Sequence, residues 1–222
     1  MLVKTPHSID QITLSTAITS MPEFSNRLAI NRPIGDFFYD PWELSQTYKG
    51  TIWETIYNSL PTYKGEARFI QLESGTSYFS HADIDDRWHL NLTGNQSYLI
   101  DLETPRMHPL TTDGYWYLMD AGRIHSASNY GQISRIQLVV RKLLTRGNIH
   151  SAIKVTVAPA YTQFDYRYQF DNIISPWLNH ANKQNVLDQF SYQDTLASFV
   201  IDRSVLEEFK SIITKEFNVI YE

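Results

Sequence analysis

The chain has 222 residues and a formal net charge of −5, with 42% hydrophobic and 14% aromatic residues and no cysteine. Its length allows one domain of good size with appended elements, and its apolar content excludes a disordered chain. The missing cysteines exclude disulfides, zinc–thiolate sites and iron–sulfur clusters, and an acidic balance without any basic run argues against a nucleic-acid partner.

Along the chain, residues 1–39 carry a poor periodicity, with room for one or two strands. No leader-type apolar stretch opens the sequence and no apolar run is long enough to span a bilayer, so the expectation is a soluble protein of the cytoplasm with no membrane partner. Asp40-Pro41-Trp42-Glu43 predicts a helix start: a capping carboxylate, proline at the first helical position and glutamate three residues after the cap. Gly50 interrupts, Thr51-Ile52-Trp53-Glu54 repeats the capping pattern, and Ile52, Ile56 and Leu60 make an apolar stripe that Pro61 stops. These helices are expected on the outside of a sheet.

From 67 to 140 the signals are strand and turn. Strands are predicted over 67–73, 77–83, 87–92, 97–102, 115–119, 125–127 and 134–140, with turn-type residues between them. Many short strands at close spacing argue for an antiparallel sandwich or jelly roll. Beyond 150, residues 153–157 suit one more strand and 161–170 are rich in aromatics. From Ser175 the chain reads helical, with Ser204-Val205-Leu206-Glu207 as a capping box before Phe209, Ile212, Ile213 and Phe217. The expectation is a mainly β fold with flanking helices. Residues 1–150 form the sheet domain with its N-terminal helices, and 151–222 form a mainly helical extension packed on it.

The chemistry concentrates in His81-Ala82-Asp83, His125 and Arg135. Two imidazoles and one carboxylate are the ligand set of the facial triad that binds Fe(II) and leaves coordination positions open. Positions i and i+2 of a strand share a face, which puts Phe79, His81 and Asp83 on one side and lets both ligands reach one metal. His125 would come from a neighbouring strand. Arg135 shares a face with Gln137 and Val139, where a buried guanidinium needs a carboxylate partner: that of a dicarboxylic cosubstrate or an internal Asp or Glu. Arg87, His89 and Asn91 share a face too, lining a cavity or facing water. Asp85 and Asp86 read as a solvated turn in preference to substrate contacts, and His108 as part of a loop; no further histidine is assigned to the metal.

His81-Ala82-Asp83, His125-Ser126-Ala127-Ser128-Asn129 and Ser134-Arg135-Ile136-Gln137-Leu138 resemble the core of the 2-oxoglutarate- and Fe(II)-dependent dioxygenases. The likeness is greatest to the aspartyl/asparaginyl β-hydroxylase group and its proline hydroxylase relatives, whose Arg-x-His strand resembles Arg87-Trp88-His89. The resemblance covers residues 65–145. It implies a double-stranded β-helix core (jelly roll, cupin-like), Fe(II) on His81, Asp83 and His125, and 2-oxoglutarate held by Arg135 with Arg87 and His89. It further implies hydroxylation of an Asp-, Asn- or Pro-type side chain, free or in a peptide. Oxygen would be consumed, succinate and CO2 released, and ascorbate would act as a stimulatory reductant. One departure stands out: the best-known aspartate β-hydroxylases lack the carboxylate ligand, whereas Asp83 is present here, which points away from an Asp or Asn substrate. Two other readings stay open. One is a cupin-type metalloenzyme of another class, such as an isomerase or a dioxygenase without cosubstrate, which needs no arginine at position 135. The other is a binding module that kept the barrel and lost turnover.

Overall fold

The structure is a computed structural model describing residues 1–61, 63–160 and 166–222. The chain opens with β1 (Leu2–Ser8) and α1 (Gln11–Thr19). The sequence pattern placed no helix here, yet Asp10 caps one, its carboxylate accepting from the Thr13 amide at 2.7 Å. The segment is rich in Ser and Thr and buries only Leu14 and Ala17, so its helical period is faint. Three short strands follow: β2 (Arg27–Ala29), β3 (Asn31–Pro33) and β4 (Trp42–Leu44). The helix expected from Asp40 does not form. Asp40 turns its carboxylate back onto the Asp36 amide at 2.7 Å, and Trp42–Leu44 pairs with β3. A strand partner outweighs the local cap signal. Helix α2 (Ile52–Asn58) does start at the second signal, with Thr51 accepting from the Trp53 amide and Glu54 from the Gly50 amide at 2.7 Å.

The next eight strands are β5 (Lys64–Leu72), β6 (Thr76–Ser77), β7 (Arg87–Thr93), β8 (Ser97–Asp101), β9 (Arg106–Pro109), β10 (Tyr115–Met119), β11 (His125–Asn129) and β12 (Arg135–Lys142). His108 therefore lies in a strand, not in a loop. The antiparallel pairings build a six-stranded sheet, β1-β10-β7-β12-β5-β2, and a four-stranded sheet, β6-β11-β8-β9. From β5 to β12 the chain alternates between them: β5, β7, β10 and β12 join the larger, β6, β8, β9 and β11 the smaller.

One face of the larger sheet is apolar. Phe69, Leu90, Leu92, Trp116 and Leu138 are buried there against Leu14 and Ala17 of α1 and Trp53 and Ile56 of α2. Each such side chain contributes roughly 1.5–3 kcal/mol by leaving water. The other face carries a polar row, and it is buried too: His89, Asn91, Arg135 and Gln137 are 8%, 2%, 2% and 3% exposed. The row on β7 thus faces the interior and not water. At one edge Met119 packs with Leu99 and Ala127 of the smaller sheet.

The last part of the chain has β13 (Ala152–Pro159), α3 (Tyr166–Gln169), a π-helical turn (Phe170–Ile174), α4 (Ser175–Lys183), β14 (Leu187–Gln193), β15 (Leu196–Asp202), α5 (Leu206–Ile212) and β16 (Phe217–Tyr221). The region expected to be mainly helical is thus divided between helix and a four-stranded sheet, β14-β15-β13-β16. Ala197, Phe199 and Ile201 are fully buried at every second position, the period of a strand. The expected capping box at Ser204 does not form: Asp202 caps a 3-10 turn (Arg203–Val205), accepting from the Ser204 amide at 3.0 Å, α5 follows from Val205 without a side-chain cap, and Phe217 opens a strand. Residues 161–165 of the aromatic stretch lie outside the described residues. Tyr39, Ile84 and Leu144 share a core with Phe190, Phe199 and Phe209, so this region packs on the first. No helix of the described residues is long and apolar enough to cross a membrane.

Candidate metal centre

The strand expected over 77–83 is broken. It ends at Ser77, Phe79 turns out to 87% exposure, and the chain rejoins the smaller sheet at one bridge between His81 and His125. There the two residues exchange amide-to-carbonyl hydrogen bonds of 2.9 and 2.8 Å. The Ala82 amide donates to Asp171 of the π-helical turn and the Asp83 amide to Ala121, both at 2.7 Å. Backbone bonds thus fix each residue of the His-Ala-Asp segment.

The side chains converge. The two imidazole centroids are 4.4 Å apart, and Asp83 Oδ2 lies 4.0 Å from His81 Nε2 and 3.8 Å from His125 Nε2. One ligand atom from each residue falls within 4.8 Å of the others. These separations are too long for hydrogen bonds and short enough for bonds of about 2 Å to one shared cation.

Protonation suits that role. His81 Nδ1 lies 2.9 Å from the Phe79 carbonyl and His125 Nδ1 2.8 Å from the Arg123 carbonyl. A carbonyl only accepts, so each Nδ1 keeps its proton and each Nε2 offers a lone pair towards Asp83. Burial pushes the His125 imidazole down to about 4, the neighbouring His81 adding to it against the pull of Asp83. Burial alone would raise the Asp83 carboxyl; the Arg87 guanidinium, then His81 and His125, hold it below its ordinary value. Asp83 Oδ1 accepts from Arg87 Nη2 at 2.6 Å, while Oδ2 has no hydrogen-bond partner among the described residues. An unmatched buried carboxylate oxygen is costly. A cation between the three ligand atoms would satisfy it, so the residues present fit a metal ion.

Behind the ligands is a tight ion-pair cluster. Arg87 also reaches Asp85 at 3.5 Å, and Asp85 pairs closely with Arg141. Asp85 is 3% exposed, which corrects the reading of Asp85 and Asp86 as a solvated turn. Asp86 accepts from Asn179 at 3.3 Å and from Lys183 at 3.1 Å. Arg87, expected at the cosubstrate, instead spends its main contacts on Asp83 and Asp85, although its Nε has no partner among the described residues. His89 is driven to about 3 by burial and then by the charges of Arg87, Arg135 and His125, and its Nε2 is unpartnered.

Arg135 differs from every arginine near the ligands. It makes no ion pair among the described residues, its Nε and Nη1 lack hydrogen-bond partners, and the Tyr78 ring stands 5.8 Å away. Burial lowers its pKa. No internal Asp or Glu that would make it a structural ion pair is found among the described residues. Gln137 and Asn91, hydrogen-bonded to each other, lie between Arg135 and His89 along the row. Sequence reasoning placed Gln137 on the face of Arg135 and Asn91 with His89, but missed Asp85, Arg141 and Tyr78 as parts of the site. Strand parity carried a signal for Arg141, which shares the face of Arg135.

In front of the ligands opens a cleft of about 1280 Å³, which His81, Asp83, Glu66, Arg68 and Arg141 line together with Tyr168 and Tyr192 from the last part of the chain.

No family model matches the chain, and no curated protein matches it. Among solved structures the chain is similar to a cupin domain from Bordetella pertussis Tohama I, at 16% identity and a TM-score of 0.32. That match covers 37% of this chain and 84% of the cupin domain. A likeness of that size leaves the fold to be judged from its own strand order.

Proposed function

We propose that this protein is an Fe(II)- and 2-oxoglutarate-dependent dioxygenase that hydroxylates an amino-acid side chain, with the presence of Asp83 favouring Pro type over Asp or Asn. The observation that carries the reading is Arg135: a guanidinium buried on the polar row of the larger sheet, at whose other end Arg87 holds the ligand Asp83, with no carboxylate among the described residues to meet it. Burying a charge unpaired is expensive, so such a residue fits a site completed by an anionic ligand. The strand order supports a jelly-roll core, because β5 to β12 alternate between two facing four-strand sets, β10-β7-β12-β5 and β6-β11-β8-β9.

In this reading His81, Asp83 and His125 hold the iron. The carbonyls of Phe79 and Arg123 fix the two imidazole orientations, and Arg87 holds Asp83 so that one carboxylate oxygen stays free. Arg135 takes the far carboxylate of 2-oxoglutarate through a bidentate pair. His89 is neutral across the physiological range, and its Nε2, without a partner among the described residues, is open to the same ligand. Iron with 2-oxoglutarate would supply reductive use of O2, one oxygen atom going to succinate as CO2 is lost and the other into a substrate C–H bond, with ascorbate as a stimulatory reductant. The protein contributes binding, orientation and exclusion of water. A cysteine-free chain suits a reducing compartment, and we place the enzyme in the cytoplasm.

Anaerobic titration of 2-oxoglutarate into the Fe(II)-loaded protein, followed by the metal-to-ligand absorption band, tests the reading. Arg135→Ala is expected to weaken 2-oxoglutarate binding by roughly two to three and a half orders of magnitude, the equivalent of about 3–5 kcal/mol for one partner of a buried pair. Iron binding stays near normal, and Arg135→Lys falls between. Unchanged 2-oxoglutarate affinity in Arg135→Ala would put another class of cupin-type metalloenzyme ahead.

A further inference from the structure

The cleft in front of the ligands has a second buried arginine. Arg68 of β5 is 5% exposed, lines the cleft, and leaves its Nε without a hydrogen-bond partner. Among the described residues its ion-pair partner is Glu66, two residues back on the same face of the same strand, which takes Nη1. The other charges acting on it are cationic. Arg87 and Arg141, also on the cleft wall, already share Asp83 and Asp85, and Arg27 stands on the neighbouring strand β2. Burial, and then the repulsion of Arg87, Arg27 and Arg141 working against Glu66, pulls Arg68 down to about 10. Arg68 lies opposite Val139, which in turn lies opposite His89, whereas Arg135 lies opposite Leu72, further along β5 and outside the cleft lining. The two under-neutralised arginines therefore serve different places.

We propose that Arg68 is the anchor for a carboxylate of the substrate, with Glu66 beside it positioned to meet the substrate ammonium. The ligand chemistry is a free α-carboxylate, that of an amino acid or of the last residue of a peptide. An internal peptide residue has none. The aromatic rim of Phe37, Phe79 and Tyr168, exposed by 42%, 87% and 40%, offers apolar surface to whatever extends beyond the anchored group. This inference rests on the cleft being the substrate side of the metal centre, and its test is independent of turnover.

The test uses the full chain loaded with Zn(II), which fills the ligand set without redox chemistry. Saturation-transfer NMR measures binding of the common amino acids in three forms: free acid, α-carboxamide, and C-terminal residue of a glycyl dipeptide. At least one free acid or dipeptide is expected to bind saturably, and its carboxamide about ten- to a hundred-fold more weakly, the worth of a charge-assisted hydrogen bond. Free acid against dipeptide tells which source of carboxylate the cleft takes. Arg68→Gln is expected to weaken the acid by the same factor while leaving the carboxamide unchanged, and Arg68→Lys to restore part of the loss. The 2-oxoglutarate absorption titration is expected to be unaltered by Arg68→Gln, so failure here and failure of the dioxygenase reading are distinguishable. Equal binding of acids and carboxamides, an unchanged acid affinity in Arg68→Gln, or no binding by any carboxylate probe would overturn the proposal.

Discussion

The polar row of the larger sheet has two ends that handle buried charge differently. At the ligand end Arg87 and Arg141 face each other across β7 and β12, and Asp83 and Asp85 neutralise them. At the far end Arg135 is more deeply buried, with no carboxylate among the described residues and two unmatched nitrogens, Nε and Nη1. A closed ion-pair cluster holds something in place, whereas an open charge awaits something. The contrast separates arginines that orient a metal ligand from arginines that meet a ligand, which residue type alone cannot do.

The largest effect expected on this contrast comes from the ligand end. His125→Ala removes a metal ligand but not the backbone bridge to His81, so the fold is kept while turnover disappears. Metal affinity, read by Co(II) or Fe(II) titration, should fall by more than the roughly 10–100-fold that losing an outer partner of a ligand costs. A variant that binds metal and turns over as the parent does would break the assignment.

Next in size, Asp85→Asn leaves Arg87 and Arg141 under-neutralised, and about 3–5 kcal/mol of stability should be lost in urea unfolding. Arg135→Met should move the other way. With no partner to strand, replacing the guanidinium by an apolar chain should stabilise the ligand-free protein by about 1–3 kcal/mol, the cost of an unmet buried polar group. If both substitutions destabilise alike, the two ends are not different in kind.

The smallest effect is a pH slope. The folded-state pKa of His89 is about 3, below the ordinary 6.5, so the folded protein binds fewer protons than the unfolded chain between those values. Stability therefore rises with pH through that window and levels off above it, and His125, at about 4, adds in the same direction. Each group contributes at most about 1.4 kcal/mol per pH unit. Urea midpoints of the metal-free protein should fall from pH 6.5 to pH 4, and His89→Gln should flatten that slope. An unchanged slope in His89→Gln would show that His89 is protonated in the folded state.

What the sequence determined by itself was local. A period of two announced β7, β8, β10, β11 and β12 within a residue or two, and the spacing of His81, Asp83, His125 and Arg135 marked the ligand set and the odd arginine. Thr51 and Glu54 announced α2 because both halves of that cap lie within one turn. Tertiary structure decided the rest. Trp42–Leu44 became a strand because β3 supplied its backbone partners, and residues 187–202 became two strands because Phe190, Phe199 and Ile201 had a core to enter. The same holds for charge. Arg68, Arg87, Arg135 and Arg141 are one residue type on three adjacent strands; Arg68 and Arg87 find carboxylates within four residues, but only the fold brings Asp85 to Arg141 and leaves Arg135 without one among the described residues. Pattern is a property of neighbours in sequence, whereas compensation of a buried charge depends on neighbours in space.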